Sequence, residues 1–551
     1  MEGLSLPLWC RNRIERVDNR QFSFQNFPYI EQYYNDKSRR KCAEKSEQMG
    51  FTVNAISESF HGTWTGLNWG YYFPTEKMVK AFVESRYNVL INANPKLKEL
   101  IRNTDNTRIK NIGAGIIYFF GLGSGSEQGG ELATFSNPMD AVTFDEYEKM
   151  KPEFAKMALG RIARSPHKLE RYISTPGLSD YGIDGKLKES DQKYWTMKCP
   201  HCNEWNVVDD IDEEGNPIGF PACIEQGYLS CSKCRLDLRQ YSAAEWVPKH
   251  PDLAQDMSGY HVSQLYSPLA DLRELLKDWG KLQTTRQKKN YFNFKLGLPY
   301  ADLSTALTKA AVLKLCRRDR GAEKSEGCFM GIDIGGSKKG IHIVIGKPGP
   351  PMFRIEHMEV LREPDPQDPK AQEWICGQIG KLIVRYGVKK FGVDAMPEQR
   401  LSRAIVYNFS RKGWMVRYND NQKGPYQWGV ESDEREVQVN RTESLDNSHY
   451  LLQKGFISLP MRDDIVEEFA EHCENLVRDE EMNEDTGVIK YVWKRKSNKQ
   501  DDFRHAFNYF AIAAGFDGTP ELKATPGTVI LGDDPAYRPK YNRSGGIKIE
   551  W

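Results

Sequence analysis

The chain has 551 residues, too many for one hydrophobic core, so roughly two to four domains are expected. Hydrophobic residues make up 39% and charged residues 28%, a globular composition, and the net charge is +1, so any nucleic-acid binding has to come from local patches. No apolar run reaches the length of a membrane span, about 18 residues. The N-terminal stretch "MEGLSLPLWCRNRIERVDNR" has no basic segment followed by an apolar one, so no secretory signal is expected. Of eleven cysteines, four fall in two CxxC pairs, which favours a reducing cytoplasm and one metal site over a disulfide framework.

In chain order, "EKSEQMGFT" (residues 44–52) comes close to a phosphate-binding loop, G-x-x-x-x-G-K-[ST]. Gly50 and Thr52 stand where the second glycine and the hydroxyl belong. Phe51 takes the lysine position and Lys45 that of the first glycine. A lysine stem spans about 6 Å, so Lys45 could reach phosphates from the start of the loop. Thr52 could ligate Mg²⁺. The competing reading is a helix start with an incidental glycine. "GTWTGLNWGYYF" reads as core, "EKMVKAFVESRYNVLI" as a helix and "GLGSGSEQGG" as a loop.

"AVTFDEYEKM" places Asp145 and Glu146 at the end of an apolar strand. A nucleotide hydrolase uses one such carboxylate for its metal and a neighbour to polarise water. A solvated strand end is the bland alternative. "ISTP" (residues 173–176) ends another strand, where a polar residue could sense phosphate. The three stretches come in ATPase order, and the alternation of elements predicts a doubly wound α/β domain with a parallel sheet.

"CPHC" (Cys199, Cys202) and "CSKC" (Cys231, Cys234) can share one tetrahedral Zn²⁺, with His201 and Cys223 as competitors for a place. Four ligands leave no open position, so the site is expected to be structural. Helical patterns follow, such as "LADLRELLKDWGKLQ". "CRRDRGAEKSEG" (316–327) reads as an interdomain linker. Beyond it a second α/β domain carries separated acids: Asp333 in "GIDIGG", Asp394 in "GVDAMP", and Asp501 and Asp502 in "DDFRHA". Two-metal nucleases need carboxylates from distinct elements. Each acid alone reads as a cap or turn residue. Their strand–hairpin–helix–strand order is that of an RNase H-like fold. The basic runs "RIARSPHK", "CRRDR" and "VWKRKSNK" read as solvated faces, with a DNA path along some of them as the alternative.

With these residues in hand, the chain resembles the large terminase subunit of tailed bacteriophages, in the lambda-like branch with a zinc insert. "KSEQMGFT" is similar to that branch's deviant Walker A, with the lysine displaced to the start. The resemblance implies ATP-binding roles for Lys45, Ser46, Gln48, Gly50, Thr52 and the Walker B Asp145, with Gln25 and Tyr29 of "FQNFPY" as adenine-recognising residues. Glu146 would be the catalytic glutamate, and Ser174 and Thr175 the coupling motif. Asp333, Asp394 and a third residue among Asp501, Asp502 and His505 would hold Mg²⁺ or Mn²⁺ in the nuclease, with Asp502 favoured.

The implied organisation is a P-loop ATPase domain of the RecA/ASCE type (1–195), a zinc-binding insert (196–240), a helical remainder of the ATPase domain (241–315), the linker (316–327), an RNase H-like nuclease (328–517) and an extended tail (518–551). The implied cofactors are ATP, Mg²⁺ or Mn²⁺, and Zn²⁺. The implied partners are double-stranded DNA, a small terminase subunit, the portal of a procapsid and further copies in a ring, in the cytoplasm of an infected bacterium. The family's arginine-bearing segment before Walker B has no arginine in "SGSEQGGELATFSNPMD", which leaves Arg161, Arg164 or a neighbouring subunit to supply one. Two other readings are a helicase-like ATPase–nuclease of repair and a zinc-ribbon scaffold with decayed sites. No second RecA-like half follows "STP", and the acids Asp145, Glu146, Asp333 and Asp394 are all present.

Overall fold

The computed structural model describes residues 5–122, 137–212, 217–225, 227–238, 243–300, 307–335, 340–362, 370–419, 421–429, 435–482 and 489–516. The tail 518–551 and most of "GLGSGSEQGG" lie outside the described residues. The chain divides into two units, residues 1–314 with 462–504, and residues 315–461 with 505–551.

The first unit is built on an eleven-stranded sheet. Its strands are β1 (Arg40–Lys45), β2 (Trp69–Phe73), β3 (Ile101–Asp105), β4 (Ile109–Ile112), β5 (Gly115–Gly121), β6 (Ala141–Asp145), β7 (Leu169–Ser174), β8 (Lys193–Lys198), β9 (Trp205–Asn206), β10 (Ala244–Pro248) and β11 (Ser258–Val262). Their order is β9-β8-β11-β1-β7-β6-β2-β5-β4-β3, with β10 beside β8. Pairing from β8 through to β5 is parallel, and the two edges are antiparallel. Every residue of β2, β6 and β11 is buried, as expected where a parallel sheet is covered on both faces.

The stretch 241–315, expected to be helical, also supplies β10 and β11, and β11 pairs directly with β1. "SGYHV" is short, holds glycine and histidine, and shows neither alternation nor helical period, so nothing in it marks a strand. Residues 462–504, expected in the second domain, group with the first unit. There the hairpin Leu476–Arg495 places Asp479 between Lys494, at 2.9 Å, and Lys289.

Strand β1 carries buried charge. Lys41 and Glu58 of helix α1 (Phe51–Trp64) lie 3.2 Å apart, and Arg171 of β7 donates twice to the same Glu58 carboxylate at 2.9 Å. This trio ties α1 to the two strands beneath it. Removing one partner of a buried pair strands the others' charge, which costs about 3–5 kcal/mol. Arg171→Ala is therefore expected to lower the unfolding free energy of the first unit by about that much. An unchanged denaturant midpoint would contradict the assignment.

Two further helices, α2 (Glu76–Phe82) and α3 (Asn88–Ala93), are joined by one π-helical turn, Val83–Tyr87. The segment read as one helix thus holds a local widening.

The second unit has an eight-stranded mixed sheet. Its strands are β12 (Phe329–Gly335), β13 (Gly340–Pro348), β14 (Phe353–Leu361), β15 (Lys390–Asp394), β16 (Gly413–Tyr418), β17 (Tyr426–Trp428), β18 (Glu436–Val439) and β19 (Ile457–Ser458), in the order β17-β18-β16-β15-β12-β13-β14-β19. The first three pair antiparallel, helix α4 (Ala371–Arg385) intervenes, and β15, β16 and β18 continue in parallel from β12. Stretch 316–327, read as a linker, is fastened to this unit. Arg317 donates to Asp319 at 2.7 Å, to the Ser458 carbonyl at 2.9 Å and to Glu356 at 3.3 Å. The Gly327 N–H bonds the Gly387 carbonyl.

Helix α5 (Asp502–Ala513) begins in the first unit's segment and belongs to the second from His505 onward. Its backbone lies directly on the second sheet. A Cβ on Gly331 would collide with the Ala506 carbonyl oxygen, and one on Gly392 would sit 3.2 Å from that of Tyr509. These two glycines each stand two residues before an acid, Asp333 and Asp394.

Candidate functional site

β1 delivers Lys45 to the rim of a cavity of about 570 Å³. Gln48, Gly50 and Thr52 line the same cavity. The turn between β1 and α1 needs left-handed backbone at Gln48 (φ +60°) and Gly50 (φ +83°). Gly50 is also close-packed, since a Cβ there would lie 3.1 Å from Ile30 Cδ1. Among the described residues no side chain caps α1, so its first-turn N–H groups are available to an anion. Ser46 and Glu47 donate their N–H groups to the Val262 and Phe294 carbonyls, which pins the start of the turn. Among the described residues, the buried Ser46 hydroxyl has no hydrogen-bond partner.

Phe51, at the usual lysine position, is 1% exposed and packs against Tyr29 and Tyr33. Tyr29 is likewise wholly buried, and its hydroxyl donates to the Met49 carbonyl at 3.2 Å. It braces the loop from below and does not line the cavity. Gln25 is exposed on the 3₁₀ turn Phe24–Asn26 and does not line it either. The cavity wall that could face a base is made by Gln21, Phe22, Phe24 and Phe27. Of the segment expected to recognise adenine, Phe24 and Phe27 line the cavity and the two named side chains, Gln25 and Tyr29, do not. Neither Arg161 nor Arg164 lines the cavity, whereas Arg20 and Arg86 do.

Asp145 ends β6 in full burial. Burial, and then the Glu146 carboxylate, push it up to about 6, against the opposing pull of Lys45 and the Tyr71 hydroxyl. That hydroxyl donates to Asp145 at 2.8 Å, a contact hidden in a sequence stretch that reads only as aromatic core. Glu146 adopts left-handed backbone (φ +61°), an uncommon state for a residue with a Cβ and one that concentrates at functional sites. Two residues on, the Glu148 N–H donates to the Ser174 hydroxyl at 3.2 Å, and the Glu148 carboxylate accepts from Ile183 N at 3.1 Å and Leu178 N at 3.4 Å. Ser174 and Thr175 are buried at the end of β7. The turn after Asp145 is thus bonded both to "STP" and to the loop that follows it.

The four CxxC sulfurs converge to within 4.8 Å of one another. Cys199 and Cys234 are 3.5 Å apart, and Cys202 and Cys231 3.6 Å. A tetrahedral ion with sulfur at about 2.3 Å requires edges of this size. The Lys233 N–H and the Asn206 amide point at the Cys231 sulfur. His201 and Cys223 stand outside the cluster. From the same segment, Asp209 lies 3.6 Å from His261 Nε2, whose Nδ1 is 2.8 Å from Glu44, the neighbour of Lys45. Burial raises both carboxyls and lowers the imidazole. The Glu44–Nδ1 contact is a hydrogen bond, and Asp209 faces Nε2 at ion-pair distance only, which brings the cysteine segment up to β1.

In the second unit Ile332 pairs with Val393, so the next residues, Asp333 and Asp394, stand side by side at the carboxyl ends of parallel strands. Asp333 is buried. Burial pushes Asp394 up to about 6, while the Met396 N–H, His505 and Tyr509 hold it down. His505 Nδ1 is 3.0 Å from the Tyr418 hydroxyl. Asp501 accepts from Arg495 at 3.2 Å, and Asp501 and Asp502 act on His472, whose Nδ1 accepts from the Phe503 N–H. His505, one of the three candidates for a third ligand, belongs to the same unit as Asp394, and its charge acts on that carboxyl. The sequence expectation favoured Asp502, the first residue of α5, one turn earlier.

Residues 20–246 match the family described as phage terminase large subunit gpA, ATPase domain. No curated protein sequence matches the chain. Among solved structures, the large terminase of bacteriophage HK97 has a similar fold, with 11% identity, a TM-score of 0.55 and coverage of 93% of this chain and 99% of that one. The large terminase of a thermophilic bacteriophage matches at 13% identity and TM-score 0.29, covering 87% and 95%. The Phi-28 gp11 DNA packaging motor matches at 10% and 0.32, covering 81% and 96%. Residues 20–246, which hold Lys45, Asp145 and the four-sulfur cluster, match the ATPase-domain family of the phage terminase large subunit gpA.

Proposed function

We propose that this chain is the motor subunit of phage DNA packaging, hydrolysing ATP to drive double-stranded DNA into a procapsid and cutting concatemeric DNA with a second, metal-dependent site. The observation that carries the reading is the shared cleft of Lys45, Gly50 and Thr52, with Lys45 acting on Asp145. Lys45 and the α1 N-terminus would bind phosphate, and Glu146 would take the proton of the attacking water. Asp145 and Thr52 would hold Mg²⁺, which when bound neutralises phosphate charge. The Glu148 bonds to Ser174 and to residues 178–183 give the coupling motif a physical path away from the cleft.

The second unit's strand order supports an RNase H-like nuclease. Asp333, Asp394 and His505 would hold Mg²⁺ or Mn²⁺, with His505 in place of Asp502. As a motor, the chain would act in the cytoplasm of an infected bacterium with a small terminase subunit, a portal and further copies of itself. Phosphate release from ATP by the purified chain, with and without linear double-stranded DNA, tests the reading. DNA should raise the rate. A chain that releases no phosphate under either condition would overturn it.

The four thiolates would hold a structural Zn²⁺. Cys231→Ser is expected to lower zinc content from about one ion per chain to near none and to lower the melting temperature, because the binding free energy of such a site is folding free energy. Wild-type protein purified without zinc, at full stability, would contradict it.

A further inference from the structure

Besides Lys45, the nucleotide cavity is lined by two cations, Arg20 and Arg86. The charge of Lys45 already acts on Asp145. A triphosphate keeps negative charge after one divalent cation binds, so a further cation in this wall has a task. Arg86 sits in the π-helical turn between α2 and α3, and such turns occur disproportionately at functional sites. Its Nη1 is 3.5 Å from Asp18 Oδ2, with the two side chains 59% and 63% exposed. An exposed pair at that distance is weak and easily exchanged.

The backbones on either side are fixed. Asp18 occupies the two-residue turn of the Arg16–Gln21 hairpin, at φ +48° beside Asn19 at +62°. Fully buried Asn94, just after α3, clamps the base of that hairpin. It accepts from the Glu15 and Arg16 N–H groups at 2.6 and 2.9 Å and donates to the Arg16 carbonyl at 2.9 Å. Asp18 and Arg86 are therefore held across one cavity wall, and only their side chains need move for Arg86 to change partner.

We propose that Arg86 is a phosphate-binding side chain of the nucleotide site, supplied by the same chain, and that Asp18 competes with the nucleotide for it. A guanidinium gains more from a phosphate, through paired charge-assisted hydrogen bonds, than from a single exposed carboxylate contact. The inference rests on the ATPase reading above. It assigns the arginine that the stretch before β6 lacks to a position earlier in the chain.

The test is isothermal titration of the full chain with magnesium-bound ATPγS. Arg86→Ala should weaken binding about ten-fold or more, and Arg86→Lys by less. Asp18→Asn should tighten binding by about two- to five-fold, and the gain should shrink in the Arg86→Ala background. Both residues are exposed, so melting temperatures should hold. Unchanged affinity in Arg86→Ala, or an Asp18→Asn gain of the same size with and without Arg86, would overturn the proposal. Wild-type protein that binds no nucleotide would instead overturn the ATPase reading on which it rests.

Discussion

Lys45→Ala is expected to abolish ATP turnover. Lys45 is the cation of the loop itself, it is nearly buried, and its charge already acts on Asp145. Position 51, where a standard loop keeps its lysine, is core, with the Phe51 ring stacked on Tyr29 at 6.4 Å. Phe51→Leu should therefore keep most of the activity. A deeper truncation would cost stability, about 3–5 kcal/mol for Phe→Ala in a core, and would confuse the comparison. Glu146→Gln completes the set. It removes the water-activating carboxylate while leaving Asp145 for the metal, so turnover should fall about 100- to 10 000-fold with nucleotide affinity retained. A loss of affinity equal to the loss of rate would contradict that division of roles.

Asp394→Ala, and separately Asp333→Ala, should abolish DNA cutting and leave ATP hydrolysis near wild type. The two carboxyls stand side by side on β15 and β12, and burial raises Asp394, a cost that a bound cation would offset. Losing one ligand of a metal that stabilises the transition state costs several kcal/mol, on the order of 100- to 1000-fold in rate. His505→Ala should reduce cutting more than Asp502→Ala if His505, whose charge acts on Asp394, is the third ligand. Nicking of supercoiled plasmid with Mg²⁺ or Mn²⁺ gives these rates. The reverse order for His505 and Asp502 would return the third position to Asp502.

What the sequence disclosed, and what it concealed, follows from how local each signal is. That Asp145 closes a buried strand was readable because an apolar run stops there on two acids. The cysteine pairs were readable from spacing, and the sulfurs do converge. Asp333 and Asp394 stood out as acids within apolar strands, each with a glycine two residues before, although the glycines' reason lies in α5 far along the chain.

The burial of Tyr29 was not legible, because an aromatic near such a loop packs beneath it as easily as it lines a cavity. β11 was invisible because a fully buried parallel strand of five residues needs no alternation. The grouping of residues 462–504 with the first unit rests on pairs such as Lys289 with Asp479, which no local pattern records. Arg86 was concealed inside a helical period that the π turn interrupts.

The most direct test of the whole account is one paired assay on the full-length wild type, Lys45→Ala and Asp394→Ala proteins, with phosphate release and plasmid nicking read from the same preparations. A double dissociation is expected. Lys45→Ala loses ATP hydrolysis and still nicks DNA, and Asp394→Ala hydrolyses ATP and no longer nicks. ATP hydrolysis at the wild-type rate by Lys45→Ala, or full nicking by Asp394→Ala, would contradict it.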